Sequence, residues 1–297
     1  MTHPSATDSP STPGAGSACE TCPSFRSGNL QRLGLSIGKW DYLVALAGNP
    51  NTGKSTVFNS LTGLRQHTGN WPGKTVVRAE GGFLFGGRRF KLVDLPGTYS
   101  LLAASPDEEV ARDFLLFARP DVTVAVVDAT RLERNLNLVL QILEITPRVV
   151  LCLNLMDGAR RAGLVVDDRR LARDLGIPVV PTAARYREGL DPLLEAIHDV
   201  ASGKVICRGH PIRNDPPALR EAVTHLVDQL TRLFPGLPNA RWVALRLLDG
   251  DNRIIEAVRS GELLALANPQ PQPAGAISNP LDLGPNQAPL AAVRGAP

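Results

Sequence analysis

Short apolar runs recur along the chain between Tyr42 and about residue 203, and most of them are separated by segments with helical spacing of apolar residues. The runs have the length of buried strands rather than of helices. This alternation predicts an α/β fold in which helices cover a sheet. The predicted strands are Tyr42–Ala47, Phe90–Val93, Val122–Val127, Val149–Leu153 and Ile177–Val180.

Helix signals are clearest after three of these strands. Lys54–Leu61 has helical texture directly after a glycine-rich loop. Ser105, Pro106 and Glu108 have the pattern of an N-cap, a first-turn proline and a capping-box carboxylate. A further helix presents one apolar face, formed by Leu136, Val139, Leu140 and Leu143. We therefore predict one α/β domain at residues 39–203.

The texture changes after about Lys204, where the strand signals stop. Amphipathic patterns punctuated by proline and glycine predict helices at Pro217–Phe234, Arg241–Leu248 and Asn252–Arg259. Residues 204–267 are therefore predicted to form a small all-helical domain.

Both ends of the chain are rich in turn-forming and small polar residues. We predict a flexible arm at residues 1–38 and a disordered tail at residues 268–297. The arm contains Cys19 and Cys22, which form an incomplete zinc site because no second ligand pair accompanies them. A metal or redox role and a simple solvated arm both remain open.

Charge and hydropathy exclude some classes of protein. The balance of 32 Lys plus Arg against 29 Asp plus Glu is too even to predict a nucleic-acid partner or an anionic membrane surface. No apolar run approaches the length of a membrane span, and the first residues do not resemble a secretory signal. We predict a cytoplasmic protein with reduced thiols.

Gly48–Ser55 matches the phosphate-binding loop, with both glycines, the lysine and the hydroxyl at the required spacing between a strand and a helix. The glycines allow backbone amides to turn towards phosphate oxygens. We expect Lys54 to neutralise the β- and γ-phosphates and Ser55 to bind Mg²⁺.

The predicted strand Phe90–Val93 leads into Asp94–Gly97. The Asp94 carboxylate could hold Mg²⁺ through water, because hard cations prefer oxygen ligands. The amide of Gly97 could contact the γ-phosphate and so sense its loss.

Asn154–Asp157 follows another buried strand and matches a guanine-recognition motif. The Asp157 carboxylate could accept hydrogen bonds from guanine N1–H and its exocyclic amine, a donor pair that adenine lacks. Leu155 stands where this motif usually has lysine. Pro181–Arg185 includes Thr182, Ala183 and Ala184, whose amides could contact guanine O6.

A glycine-rich loop is predicted at Gln66–Thr75, and Thr75 is its best candidate for contact with Mg²⁺ and the γ-phosphate. Together the motifs predict a P-loop GTPase with a Ras-like mixed sheet. The residues predicted to contact GTP or GDP are Gly48, Asn49, Pro50, Asn51, Thr52, Gly53, Lys54, Ser55, Thr56, Gly73, Lys74, Thr75, Asp94, Leu95, Pro96, Gly97, Asn154, Leu155, Met156, Asp157, Thr182, Ala183 and Ala184.

The chain closely resembles the G domain and helical domain of ferrous iron transport protein B from about Tyr42 to Leu266. The resemblance rests on the phosphate loop, on the Asn-Trp-Pro-Gly segment that begins at Asn70 and on the Leu-Glu-Arg-Asn-Leu run that begins at Leu132. It implies K⁺-stimulated GTP hydrolysis coupled to Fe²⁺ uptake, and a helical domain that tunes GDP affinity. Slow hydrolysis is expected because Thr98 and Tyr99 follow Gly97, so no glutamine is present to orient water. Lys54, Thr75 and Asn51 are the candidate catalytic residues, and the resemblance implies that K⁺ is held by Asn51 and by the carbonyls of Gly69 and Trp71.

Members of this family usually continue into a membrane domain, whereas this sequence continues into a polar segment. We therefore expect a separately encoded ferrous iron permease as partner, with possible self-association and peripheral location at the inner membrane. Two alternatives stay open. One is an RNA-associated or ribosome-associated assembly GTPase, and the other is a nucleotide-responsive adaptor without significant hydrolysis.

Overall fold

A computed structural model describes residues 40–63, 66–102, 105–209, 216–237 and 239–263. The predicted arm with Cys19 and Cys22 and the predicted tail at residues 268–297 lie outside these residues. No helix within the described ranges is both long enough and apolar enough to cross a membrane.

In the described residues, seven strands form one mixed sheet in the order β2-β3-β4-β1-β5-β6-β7. The sheet is parallel from β4 through β7, and β3 pairs antiparallel with both β2 and β4. The carboxyl ends of the parallel strands therefore meet at one edge, where α/β proteins bind ligands. The strands are β1 (Tyr42–Gly48), β2 (Gln66–Asn70), β3 (Val77–Phe85), β4 (Arg88–Asp94), β5 (Val122–Asp128), β6 (Val149–Asn154) and β7 (Val179–Pro181).

Helices cover both faces of the sheet, which is why the central strands are apolar along their whole length. In β1, Leu43 and Ala45 contribute to one buried cluster, and Val44 and Leu46 contribute to the other. The helices are α1 (Lys54–Thr62), α2 (Pro106–Asp113), α3 (Leu132–Ile145), α4 (Met156–Arg161), α5 (Asp168–Leu175), α6 (Leu190–Ala201), α7 (Pro217–Leu233), α8 (Ala240–Leu248) and α9 (Asn252–Arg259).

The predicted α/β class is correct, and the five predicted strands are present with ends shifted by one or two residues. The last of them begins at Val179 rather than Ile177, because Pro178 precedes it and cannot donate to the ladder. The Ser105 hydroxyl accepts a hydrogen bond from the Glu108 amide, as expected of the N-cap of α2. A π-helical turn, Phe114–Ala118, follows this helix.

The predicted loop at Gln66–Thr75 is wrong over its first half, because residues 66–70 form β2. This strand pairs with β3, which the sequence did not predict. Neither strand shows a clean apolar alternation: β2 contains no large apolar residue, and β3 carries two adjacent glycines and buries Arg78 and Glu80. Their stability comes from pairing in the sheet and from the ion pair that joins Glu80 to Lys91 at 2.7 Å.

The C-terminal region is helical, as predicted, and it packs against the same apolar cluster as α2 and α3. Arg112 of α2 is completely buried and its Nη1 lies 2.8 Å from Oδ2 of Asp251. The Asp251 carboxylate also caps α9 by accepting from the amides of Arg253 and Ile254. The Nε of Arg253 lies 3.2 Å from Oδ2 of Asp113, the last residue of α2. Charged contacts therefore fix α9 to α2.

Candidate functional site

The phosphate loop lies between β1 and α1 at the carboxyl edge of the sheet. A Cβ on Gly48 would lie 2.5 Å from the carbonyl oxygen of Val126, and one on Gly53 would lie 2.5 Å from Nδ2 of Asn154. Gly53 also has φ of 81°, and Asn51 has φ of 64°. These close approaches explain why the loop needs both glycines, and the left-handed residues curve the backbone as in loops whose amides bind anions.

Lys54 begins α1 and points across the loop to the end of β4. Its Nζ lies 2.5 Å from Oδ1 of Asp94 and 2.6 Å from the carbonyl oxygen of Leu95. Burial raises the pKa of the Asp94 carboxyl above its ordinary value, and the neighbouring Lys54 ammonium opposes this shift. A nucleotide phosphate and Mg²⁺ would each attract one member of this pair: the phosphate attracts Nζ and the magnesium attracts Oδ1.

Asp94–Gly97 packs directly on the phosphate loop. The amide of Thr98 donates to the carbonyl oxygen of Gly48 at 3.3 Å, and a Cβ on Gly97 would lie 3.4 Å from the backbone of Pro50. Two motifs that are 40 residues apart in sequence therefore form one continuous backbone surface. Thr98 and Tyr99 follow Gly97 where Ras-like proteins carry a water-orienting glutamine.

Asn154 at the end of β6 joins the guanine-recognition motif to the phosphate loop. Its Nδ2 donates to the carbonyl oxygen of Thr52 at 2.9 Å, and its Oδ1 accepts from the amide of Ala184 at 3.1 Å. The side chain is buried, so losing either bond would leave a polar group without a partner. Asn154 thus fixes three segments of the site at once, a role that the motif alone did not reveal.

Asp157 lies in the first turn of α4, after Leu155 in a left-handed conformation with φ of 61°. Its carboxylate is 20% exposed and accepts from Arg161 at 2.8 Å. The neighbouring loop is held by backbone bonds, since the Thr182 amide donates to Leu153 at 2.8 Å and the Met156 amide donates to Thr182 at 3.2 Å. The two predicted base-recognition segments therefore lie side by side.

The turn between β2 and β3 carries the predicted switch residue Thr75, which is exposed. Within the turn, the Trp71 amide donates to Val76 and the Lys74 amide donates to Trp71, both at 3.0 Å. The Trp71 ring is buried edge-on against Phe114, with 5.6 Å between ring centroids. The register that pairs Ala79 with Asp94 places this turn at the same edge of the sheet as the phosphate loop.

Lys74 links this turn to α2, because its Nζ lies 2.6 Å from Oε2 of Glu109. Sequence reasoning did not single out Glu109 for this contact, since the two residues lie 35 positions apart. The opposite charges of Lys74 and Glu109 were the only sign of this contact in the sequence. Through this pair the turn is connected to the helix that also holds Arg112.

The donor atoms suit Mg²⁺ at Ser55 and Asp94, which offer a hydroxyl and a carboxylate beside the phosphate loop. The predicted K⁺ ligands are less closely gathered. Asn51 is exposed on the loop, Gly69 pairs with Arg78 within the sheet, and the Trp71 carbonyl accepts from Lys74. A carbonyl has a second lone pair, so Trp71 can still accept a cation contact.

The family of the chain follows from its sequence. Residues 42–197 match the family described as Ferrous iron transport protein B. The chain belongs to this family. Its match spans the α/β region described above, including every segment assigned to the nucleotide site.

Two curated relatives show how the chain compares with whole members of the family. It is 41% identical over 212 residues to the Fe(2+) transporter FeoB of Salmonella typhimurium, covering 70% of this chain and 27% of the relative. It is 41% identical over 219 residues to a Fe(2+) transport protein A/FeoB fusion protein of Porphyromonas gingivalis, covering 71% and 25%. The chain therefore spans about a quarter of the length of these relatives.

Solved structures of FeoB cytosolic domains have the same fold. The L. pneumophila domain is 35% identical with a TM-score of 0.67, over 75% of this chain and 87% of that chain. The T. maritima domain is 37% identical with a TM-score of 0.67, over 75% and 86%. An S. thermophilus NFeoB mutant, solved bound to GDP, is 36% identical with a TM-score of 0.64, over 72% and 82%. The chain thus has the GTPase fold of the FeoB G domain.

Proposed function

We propose that this chain is a GTP-binding and slowly GTP-hydrolysing switch that regulates or drives ferrous iron uptake together with a separate membrane permease. The observation that carries the proposal is the Asn154 side chain, which ties the guanine-recognition motif to the phosphate loop through Thr52 and to Ala184. This arrangement supports recognition of base and phosphates by one preorganised surface.

In this proposal the residues of the site divide into those that bind the nucleotide and those that hold a metal ion. Lys54 binds the β- and γ-phosphates, and Asp157 accepts the two guanine donors. Ser55, Asp94 and Thr75 would hold Mg²⁺, which supplies positive charge to the phosphates. Asn51, Gly69 and Trp71 would hold K⁺, a second positive charge where no glutamine orients water. Slow hydrolysis is the expected result.

The iron-transport part of the proposal rests on the relatives, which are named Fe(2+) transporters. The helices α7–α9 would relay the nucleotide state to the permease, because the buried contact of Arg112 with Asp251 joins them to α2. A cytoplasmic position at the inner membrane would bring these helices to that partner.

The decisive experiment is steady-state GTP hydrolysis by the purified protein in matched K⁺ and Na⁺ buffers, with ATP as the specificity control. We expect turnover of GTP but not ATP, with a higher rate in K⁺. Asn51→Ala is expected to remove the K⁺ stimulation while GDP binding stays within about twofold. Equal wild-type rates in the two buffers would refute the K⁺ role.

One further outcome separates this proposal from an adaptor function. Binding of guanine nucleotides without measurable hydrolysis in either buffer would favour a nucleotide-responsive adaptor. Titration of a fluorescent GDP analogue in the same preparations measures that binding directly, so a failure of hydrolysis is distinguishable from an unfolded site.

A further inference from the structure

A cavity of about 300 Å³ lies between the phosphate loop and the beginning of α3. Its phosphate-loop side is formed by Asn49, Pro50, Asn51 and Thr52. Its opposite side carries two arginines, Arg131 at the N-cap of α3 and Arg134 in the first turn of that helix. Neither arginine belongs to the nucleotide motifs.

The two guanidinium groups are available for a ligand. Both side chains are exposed, and among the described residues neither forms an ion pair with an acidic side chain. Arg134 lies over the ring of Tyr99, 4.4 Å from its centroid, and this contact orients the side chain without neutralising its charge. Arg131 is the first residue before α3, so it lies at the positive end of the helix dipole.

Asn49 provides an independent sign of a ligand. It is 2% exposed, it lines the cavity, and neither Nδ2 nor Oδ1 of its amide has a hydrogen-bond partner. A buried amide without a partner is uncommon in proteins and costs free energy unless a ligand or water satisfies it. Its Nδ2 group can donate to an anion held by the two arginines.

Two other polar side chains of the lining, Asp128 and Asn135, already form hydrogen bonds within the protein. Among the described residues that line the cavity, Asp128 is the only acidic one, and its Oδ1 accepts from the amide and hydroxyl of Thr130 at 2.8 and 2.7 Å. Asn135 accepts from the Asp128 amide and donates to the carbonyl of Arg131, so it holds the turn rigid. With two cations against one bonded carboxylate, the cavity favours an anion over a metal cation.

We propose that this cavity binds a phosphate group that is separate from the phosphates of the bound nucleotide, through Arg131, Arg134 and Asn49. The cavity exceeds the size of one phosphate, so both free phosphate and a phosphate monoester fit. Because the same loop contacts the nucleotide, occupancy of the cavity would alter GTP hydrolysis.

The test uses the full chain saturated with Mg²⁺ and a non-hydrolysable GTP analogue, so that the γ-phosphate position is filled. Inorganic phosphate and ribose 5-phosphate are titrated separately at constant ionic strength and followed by calorimetry. We expect saturable binding, which falls roughly tenfold or more in the double variant Arg131→Ala/Arg134→Ala. Tighter binding of ribose 5-phosphate would identify a monoester as the ligand, and tighter binding of inorganic phosphate would identify the free ion.

Arg169→Ala is the matched control, because this exposed arginine lies on α5 outside the cavity. It should leave phosphate binding within about twofold. The double variant Arg131→Lys/Arg134→Lys keeps the charge and should retain part of the affinity. Analogue binding and melting temperature are measured for every variant, so that failure of the nucleotide site is distinguished from failure of this site.

Three results would overturn the proposal. The first is no saturable binding of either phosphate probe to the analogue-loaded protein. The second is phosphate binding that is unchanged in Arg131→Ala/Arg134→Ala or that falls equally in Arg169→Ala. The third is phosphate binding that occurs when GDP is bound but not when the GTP analogue is bound. That result would assign the two arginines to the γ-phosphate position of the nucleotide site.

Discussion

The phosphate loop and the β2–β3 turn lie at the same edge of the sheet, but they are held in different ways. The phosphate loop is fixed by long-range contacts, such as the bond from Asn154 to Thr52, whose residues are 102 positions apart. The turn is held by local backbone bonds between Trp71 and Val76, by one charged side-chain pair, Lys74 with Glu109, and by the packing of the Trp71 ring on Phe114.

This difference separates recognition from sensing. A surface fixed by buried long-range bonds binds its ligand with little reorganisation, whereas residues 72–75 of the turn are mostly exposed and can change position at low free-energy cost. Substitutions that disturb the buried contacts of the loop should therefore lower nucleotide affinity, whereas the exposed Asn51 is not held by them. Substitutions in the turn should alter hydrolysis while affinity changes little.

The largest effect is expected from Lys54→Ala. The variant removes the ammonium that would contact two phosphate oxygens, and charge-assisted hydrogen bonds contribute about 1.5–3 kcal/mol each. We expect GTP and GDP affinity to fall at least roughly a hundredfold, measured by titration of a fluorescent guanine nucleotide. Lys204→Ala is the control, because that lysine pairs with Asp199 on the surface. Unchanged affinity in Lys54→Ala would remove the site assignment.

A comparison of two glycines tests whether the loop depends on close packing. Gly53→Ala adds a Cβ that would lie 2.5 Å from Asn154, at a positive φ, whereas Gly63→Ala has a positive φ with no atom within 4 Å. Both variants carry the left-handed penalty of about 1–2 kcal/mol. Only Gly53→Ala should also lower nucleotide affinity, by roughly thirtyfold.

Thermal unfolding and nucleotide titration should therefore both distinguish the two glycine variants. A lower melting temperature and a lower nucleotide affinity in Gly53→Ala than in Gly63→Ala would support the role of the contact with Asn154. Equal affinities would show that the loop tolerates displacement of Asn154, and the proposed preorganisation would then be incorrect.

A smaller effect is expected from Asp157→Asn, which replaces one of the two acceptor oxygens offered to guanine by an amide donor. We expect GTP affinity to fall roughly tenfold, because the new amide N–H donor would face an N–H donor of guanine. The ratio of GTP affinity to ATP affinity should therefore decrease. Competition with unlabelled GTP and ATP measures both quantities. Arg161→Ala is the control for the lost surface pair, and an identical loss in both variants would argue against base recognition.

The sequence predicted the parallel part of the fold better than the antiparallel part. β5 and β6 are buried on both faces, so their apolar runs stand out from the flanking residues. β3 buries Arg78 and Glu80 and contains Gly81 and Gly82. Neither an apolar run nor an alternation of apolar and polar residues therefore marks it as a strand. Its partner β2 has still less apolar signal, since its pairing depends on β3.

The site shows the same division between local and long-range information. Gly48–Ser55 could be predicted because its chemistry lies within eight consecutive positions. The contacts of Asn154 with Thr52 and Ala184 could not, because they depend on the order of β1, β6 and the β7 loop in space. The unpartnered amide of Asn49 likewise became visible only once burial was known.

The smallest effect is expected from Lys74→Ala. The pair with Glu109 is about one-third exposed, so its loss should change the free energy of unfolding by no more than about 0.5 kcal/mol. GDP affinity should stay within roughly twofold, since neither residue belongs to the rigid loop. The GTP hydrolysis rate should change more than the affinity, because the turn that carries Thr75 loses its connection to α2.

Glu109→Ala should reproduce the effect, and the double variant should match either single variant, since all three lack the same pair. Additive effects of the two substitutions would show that Lys74 and Glu109 act separately, and the turn would then be coupled to α2 through the packing of Trp71 on Phe114 instead.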